Sequence, residues 1–147
     1  MEAHAHRDLK HWDLSHLAEG RSPAQLYALA AGVFLTVMGV AGFFVNSDFS
    51  TGSSVTANTL VVFDVNGWLN LVNLLTGVVG IYVATRTGLA KKYALTVGVV
   101  FIVLAAWGVL TTTVLGLLPM STSDMVLYAG IGALGLMTGL GPDGSEV

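Results

Sequence analysis

Residues 26–45 have the sequence LYALAAGVFLTVMGVAGFFV and contain no charged side chain. A helix of about 20 residues rises about 30 Å, which matches the hydrocarbon core of a bilayer. The stretch is apolar on every side, whereas a helix on the surface of a soluble protein keeps one polar face. Residues 26–45 therefore predict a membrane-spanning helix rather than an element of a soluble bundle.

Three further charge-free stretches follow, at 65–85, 93–123 and 125–142. Each has room for one span but not for two. The uncharged residues 49–63 are too polar at their start to enter lipid, and they predict a structured outer loop. We therefore predict an all-α fold, an integral membrane four-helix bundle within residues 23–142. The predicted spans are approximately 24–45, 66–85, 92–117 and 124–141.

The composition excludes several classes of function. Only 10% of the 147 residues are charged, against about 25% in soluble domains. Apart from Lys92 and Asp124 at the very first positions of two spans, no Asp, Glu, Lys, Arg or His lies inside a predicted span. Proton pumps, antiporters and intramembrane metalloproteases usually need such groups there. The chain has no cysteine, and its net charge of −3 provides no phosphate-binding surface for nucleic acid. We expect neither an enzyme nor a bound metal or cofactor.

The basic residues predict the orientation in the membrane. All six lie before the first span or between the second and third, and the other two loops have none. By the positive-inside rule, the protein is a multi-pass protein of the cell membrane with cytoplasmic N- and C-terminal tails, residues 1–22 and 143–147. The six are Arg7, Lys10, Arg21, Arg86, Lys91 and Lys92.

Helix-capping signals mark the starts of three spans. Residues 22–25, Ser-Pro-Ala-Gln, form a capping box, and Ser-Thr-Ser-Asp at 121–124 offers a second cap. Asn66 followed by Gly67 suits the start of the second span. Asp64 and Asp124 then have two interpretations, as helix caps or as a divalent cation site at the outer mouth.

The first and third spans resemble each other. Tyr27 and Gly32 recur 66 residues later as Tyr93 and Gly98, each tyrosine followed by Ala-Leu. This spacing favours two repeated hairpins related by a pseudo-two-fold axis along the membrane normal. The alternative is chance, because Ala, Leu, Gly and Val are common in membrane spans.

Polar residues cluster on one face of the second span. Asn66, Asn70 and Asn73 are spaced four and three apart, which places them on one side of a helix. Together with Trp68 and Tyr128, they could form a polar-lined pocket near the outer side for a lipid, quinone or pigment. The alternative is that the asparagines form interhelical hydrogen bonds, for example to Tyr128.

Small residues and the N-terminal tail suggest contacts with other proteins. Gly130, Gly135 and Gly139 leave one side of the fourth helix nearly free of side chains, which allows close helix packing. This side could contact a partner, or it could pack within the bundle. In the tail, Trp12 could anchor a short amphipathic helix at the membrane interface, or it could contact a partner. The spacing of the four tail histidines does not favour a metal site.

Several of these segments are similar to a known family. The motifs are SPAQLYAL at 22–29, NGW at 66–68 with the following Asn70, and Asp124 followed by Val126-Leu127. They resemble a family of small four-helix bacterial membrane proteins, mostly actinobacterial, whose domain has no known function. The resemblance implies four spans and no particular activity.

This chain departs from the family pattern at three positions. Histidines usually stand where it has Leu69 and Asn73, and another stands at or beside Tyr128. Any metal, haem or proton role built on those histidines therefore does not transfer. We expect a non-catalytic accessory or scaffold subunit of a membrane complex or homo-oligomer, with the ligand binder described above as the alternative.

Overall fold

A computed structural model describes residues 19–143, and these residues form four α-helices. They are α1 (Pro23–Val45), α2 (Gly67–Val83), α3 (Thr87–Leu110) and α4 (Thr122–Leu140). Helix α1 packs mainly against α2 and helix α3 mainly against α4, so the bundle consists of two helical hairpins. The predicted all-α four-helix bundle is confirmed. Trp12, the tail histidines and the predicted interfacial helix lie outside the described residues.

Three of the helices have the length and apolarity to cross a membrane. These are α1, α3 and α4, while α2 is equally apolar in character but has only 17 residues. Large apolar side chains such as Val37, Leu75 and Met137 point outward and are more than half exposed. Exposed apolar surface on this scale marks a membrane or protein interaction surface, and together with the length and apolarity of the helices it indicates that the protein is embedded in a membrane.

Capping residues fix the starts of three helices as predicted. The side chains of Ser22 and Gln25 form a reciprocal capping box at the start of α1, with Pro23 as the first helical residue. Ser121 and Asp124 form a second capping box at the start of α4. At the start of α2, Asn66 accepts a hydrogen bond from the backbone N–H of Leu69 at 2.9 Å.

The third helix differs from its predicted bounds of 92–117. Helix α3 begins at Thr87 and ends at Leu110, and it is followed by an antiparallel pair of short strands, β3 (Thr113–Val114) and β4 (Leu118–Pro119). The absence of charge in this region was compatible with a helix but did not require one. Residues 111–113 are three β-branched threonines, which favour extended backbone, and Gly116 adopts a positive φ of 66° in the turn.

The loop between α1 and α2 contains a similar ribbon. Strands β1 (Asn58–Leu60) and β2 (Phe63–Val65) pair in antiparallel register, with Asn58 opposite Val65. Val61, in the turn, has a φ of 61°, which is unusual for a β-branched residue. The backbone N–H of Gly52 donates to the carbonyl of Gly116 at 2.8 Å, so the two loops contact each other. We call this side of the bundle the ribbon end.

The opposite end of the bundle carries Arg86, in the connection between α2 and α3, and Lys91 and Lys92, in the first turns of α3. We call it the basic end. The side-chain amide of Gln25 donates to the carbonyl of Ala84 at 3.0 Å, which joins the start of α1 to the end of α2. Lys91 of α3 forms an ion pair of 2.8 Å with Asp143, just beyond α4. The start of α1, the α2–α3 connection and the end of α4 therefore lie together.

Glycines allow the helices of each hairpin to approach closely. A Cβ atom on Gly32 would lie 2.9 Å from the carbonyl oxygen of Gly77, and one on Gly77 would lie 2.7 Å from the carbonyl oxygen of Gly32. In the second hairpin, a Cβ on Gly132 would lie 2.9 Å from the carbonyl oxygen of Gly98. Backbone meets backbone at these crossings, as in membrane helix pairs with small residues at the interface.

Candidate functional site

A layer of buried polar side chains lies inside the bundle near the ribbon end. It combines the C-cap residue of α1, the first turns of α2 and the first turns of α4. Since buried polar groups in lipid need hydrogen-bond partners, the partners of this layer determine what it can do. We call it the polar layer, and its members are Asn46, Asn66, Asn70, Asn73, Asp124 and Tyr128.

Asn73 and Tyr128 connect the two hairpins. The Tyr128 hydroxyl donates to Oδ1 of Asn73 at 2.8 Å, and both side chains are buried. The ring of Phe101 packs on Tyr128 with the ring centroids 4.7 Å apart. The contact is an interhelical hydrogen bond between α2 and α4, which is the alternative that the sequence left open for Asn73.

Asn70 is fully buried against α1. Its side-chain NH₂ donates to the carbonyl of Asn46 at 2.7 Å, at the end of α1. Its Oδ1 is the one buried side-chain oxygen or nitrogen in residues 19–143 that lacks a hydrogen-bond partner. A Cβ on Gly42 would overlap this oxygen, so the oxygen packs against the backbone of that glycine.

Asn66 and Trp68 bind different parts of the ribbon end. Asn66 caps α2 and also donates from its NH₂ to the carbonyl of Leu117 at 2.8 Å. The indole N–H of Trp68 instead donates to the carbonyl of Phe49 at 2.9 Å, and the Phe49 ring packs edge-on against the indole. Asn66, Asn70, Asn73 and Tyr128 therefore lie together in the polar layer, while Trp68 lies against the first loop.

Asp124 acts as a capping residue. Its Oδ2 accepts from the N–H of Ser121 at 2.9 Å, from the Ser121 hydroxyl at 2.7 Å and from the N–H of Asp64 at 3.1 Å. Asp64 thus contributes a backbone donor rather than a second metal ligand. In the part of the chain that the structure describes, no three His, Asp or Glu side chains are grouped to hold a metal ion. The geometry favours the capping interpretation of Asp124.

Two polar residues near the ribbon end were not singled out from the sequence. Oδ1 of Asn46 accepts from the N–H of Asp48 at 2.8 Å and so begins the turn after α1. Hydrogen bonds from the hydroxyls of Thr56 and Ser50 hold the pKa of Asp48 below its usual value. An asparagine directly after an apolar helix, followed by Ser-Asp, is a recognisable turn signal that could have identified both.

The glycines of α4 divide between the interior and the surface. A Cβ on Gly135 would meet the Ala94 carbonyl and the Tyr27 hydroxyl, both at 2.7 Å, and one on Gly139 would meet Leu95 at 2.7 Å. Both residues are buried against the rest of the bundle, which is the packing alternative that the sequence left open for them. A Cβ on Gly130 would have no neighbour within 4 Å, and Gly130 remains available on the outer face.

Two tyrosines cross between the hairpins. The Tyr27 hydroxyl of α1 donates to the carbonyl of Ile131 in α4 at 2.8 Å, and the Tyr93 hydroxyl of α3 donates to the carbonyl of Thr76 in α2 at 3.0 Å. Their ring centroids are 6.3 Å apart. The recurrence of tyrosine in the sequence was the available signal, because a hydroxyl inside a span needs a partner.

Comparison with known proteins identifies a family and gives no activity. Residues 25–141 match the family described as a domain of unknown function, DUF4383. The match covers most of the chain, so the chain belongs to this family, and the resemblance indicated by the sequence motifs is confirmed. No curated protein and no solved structure matches the chain.

Proposed function

We propose that this member of the DUF4383 family is a non-catalytic membrane scaffold, an accessory subunit of a larger complex or of a homo-oligomer. The observation that carries the proposal is the bonding of the polar layer. Asn66, Asn70, Asn73 and Asp124 all have hydrogen-bond partners within the chain. Their polarity holds the helices in place, as expected for a static support rather than a site that exchanges substrates or protons.

We also infer that the two hairpins are copies of one unit. The offset of 66 residues between α1 and α3 places Tyr27 against Tyr93 and Gly32 against Gly98. Helices α2 and α4 align with an offset of 55 residues, which places Asn73 and Tyr128 at corresponding positions. These two side chains are also hydrogen-bonded to each other. Each half also has the same order of helix, two-stranded ribbon and helix, which supports duplication over chance.

The proposed orientation places the basic end in the cytoplasm. Arg86, Lys91 and Lys92 lie at that end, and the two ribbon loops contain neither lysine nor arginine. Since the chain has no cysteine, an introduced one is unique. We expect a cysteine replacing Val61, which is 85% exposed, to react with a membrane-impermeant maleimide in intact cells. A cysteine replacing Thr85 should react only after permeabilisation, and the reverse pattern would contradict the orientation.

The outward face of α4 is the proposed contact surface. Val126, Leu134 and Met137 are each more than half exposed there, and Gly130 lies among them without a neighbour. A flat apolar stripe around a glycine suits close packing of a foreign helix.

Site-directed cross-linking tests this surface. A benzophenone attached to a cysteine at position 130 should give one discrete adduct in native membranes, either a dimer or a heterologous complex. The matched control is a cysteine replacing Val37, an exposed residue of α1, which should give no discrete adduct. If the chain remains an unmodified 15.3 kDa species from both positions, and is monomeric in mild detergent, the scaffold proposal fails.

The alternative function, a carrier of a small apolar ligand in the polar layer, has weaker support. One observation favours it, the unpartnered Oδ1 of Asn70. That oxygen faces the backbone of Gly42 rather than a cavity. A ligand there would also have to displace the bonds from Asn70 to Asn46 and from Tyr128 to Asn73.

A further inference from the structure

Two apolar grooves run along the boundary between the hairpins. Groove A, between α2 and α3, has a volume of about 450 Å³, and groove B, between α1 and α4, about 430 Å³. Each passes a crossing tyrosine, Tyr93 in groove A and Tyr27 in groove B. Val79 of groove A and Leu134 of groove B are 55 residues apart, so the two grooves occupy corresponding places in the two halves.

The grooves differ in charge. Lys92 lines groove A at the basic end, next to Leu89 and Val83, whereas the residues that line groove B are all uncharged. The position in α1 that corresponds to Lys92 is Leu26. Of the two grooves, only groove A therefore has a cationic side chain at one end of an otherwise uncharged lining.

Lys92 is available to an external anion. Its neighbour Lys91 is bound to Asp143, but within residues 19–143 no carboxylate lies within ion-pair distance of the Lys92 ammonium group. The side chain is exposed. Lys92 lies in the second turn of α3, from which a long lysine side chain can reach the headgroup level of the bilayer while its methylenes stay in apolar surroundings.

We propose that groove A is a binding site for an anionic phospholipid, with an acyl chain along Val79 and Val83 and the phosphate at Lys92. The apolar lining accommodates the chain, and the ammonium group complements the headgroup charge. Zwitterionic lipid carries the same acyl chains without net charge, so it should bind less well. This site does not depend on the scaffold role, since neither the α4 face nor a protein partner takes part in it.

Native mass spectrometry with added lipid tests the proposal. The purified full-length protein is titrated with phosphatidylglycerol or with phosphatidylcholine of identical acyl chains. A lysine near the membrane surface contributes about 1 kcal/mol toward anionic lipid, so we expect one phosphatidylglycerol to bind about fivefold more tightly than phosphatidylcholine. Lys92→Leu should remove that preference, and Leu26→Lys should create a second phosphatidylglycerol site in groove B.

Groove-filling variants separate binding in the groove from attraction to a basic surface. Val79→Trp should remove the tightly bound phosphatidylglycerol, whereas Leu134→Trp, at the corresponding place in groove B, should leave it. Both residues are about half exposed, and circular dichroism verifies that the variants fold. Equal binding of the two lipids by the native chain, an unchanged preference in Lys92→Leu, or phosphatidylglycerol retained by Val79→Trp would each overturn the proposal. A dimer that forms without lipid and that only Val79→Trp disrupts would also overturn the proposal. A second copy of the chain, rather than a lipid, would then cover groove A.

Discussion

Replacing Gly77 by valine is expected to lower the free energy of unfolding by about 3 kcal/mol, the upper part of the usual range for overpacked interiors. The new Cβ would lie 2.7 Å from the carbonyl oxygen of Gly32 and against the backbone N–H of Thr36. Neither neighbour is the flexible end of a side chain, so helices α1 and α2 would have to move apart. The other contacts between α1 and α2 would then be strained as well, including the hydrogen bond from Asn70 to the carbonyl of Asn46.

Unfolding of the purified protein by SDS titration, followed by circular dichroism, measures this effect. The matched control is Gly130→Ala, a glycine replacement inside α4 at a position with no neighbour within 4 Å. It should be neutral or stabilise by about 0.5 kcal/mol, because glycine is costly inside a helix. A Gly77→Val variant that unfolds at the same SDS fraction as the native chain would show that the close crossing does not exist.

Replacing Tyr128 by phenylalanine is expected to cost about 1.5 kcal/mol of unfolding free energy. The change removes one hydroxyl, but it leaves Oδ1 of the buried Asn73 without its donor. Most of the cost therefore comes from the unsatisfied amide rather than from the lost bond. Tyr82→Phe, which alters a tyrosine that is 64% exposed, is the control and should change stability little.

A double-mutant cycle isolates the pair. Asn73→Leu should destabilise as well, because it leaves the Tyr128 hydroxyl unpaired in an apolar interior. The double variant Asn73→Leu with Tyr128→Phe removes both polar groups, so it should cost clearly less than the sum of the two single changes. Strictly additive effects would mean that the two side chains do not interact in the folded protein.

The number and starts of the helices could be predicted because they depend on local chemistry. Charge-free stretches identify segments that lipid can accommodate, and Ser22, Asn66 and Ser121 cap the helices that follow them. The end of α3 could not be predicted in this way. The absence of charge does not distinguish a helix from a short paired ribbon, and the turn at Leu115 and Gly116 depends on strand pairing with residues further along the chain.

The candidate site shows where local patterns stop being sufficient. The spacing of Asn66, Asn70 and Asn73 placed them on one face, but their partners lie on α1, α4 and the second ribbon. Whether the asparagines line a pocket or form interhelical hydrogen bonds depends on how α1, α4 and the second ribbon pack against α2. The spacing of residues along one helix carries no information about that packing. The same limit applies to Gly135, because whether a glycine faces a partner or Ala94 depends on the rotation of α4 in the bundle.

The crossing tyrosines make this chain comparable to a dimer whose two subunits have been joined. Tyr27 bonds to the second hairpin and Tyr93 to the first, and only residues 84–86 separate the last residue of α2 from the first of α3. So short a tether holds the halves at an effective concentration in the millimolar range or above. Contacts that would be too weak to associate two separate hairpins are therefore sufficient here. A longer connection should loosen the halves only slowly, by about 0.6 kcal/mol for each doubling of its length.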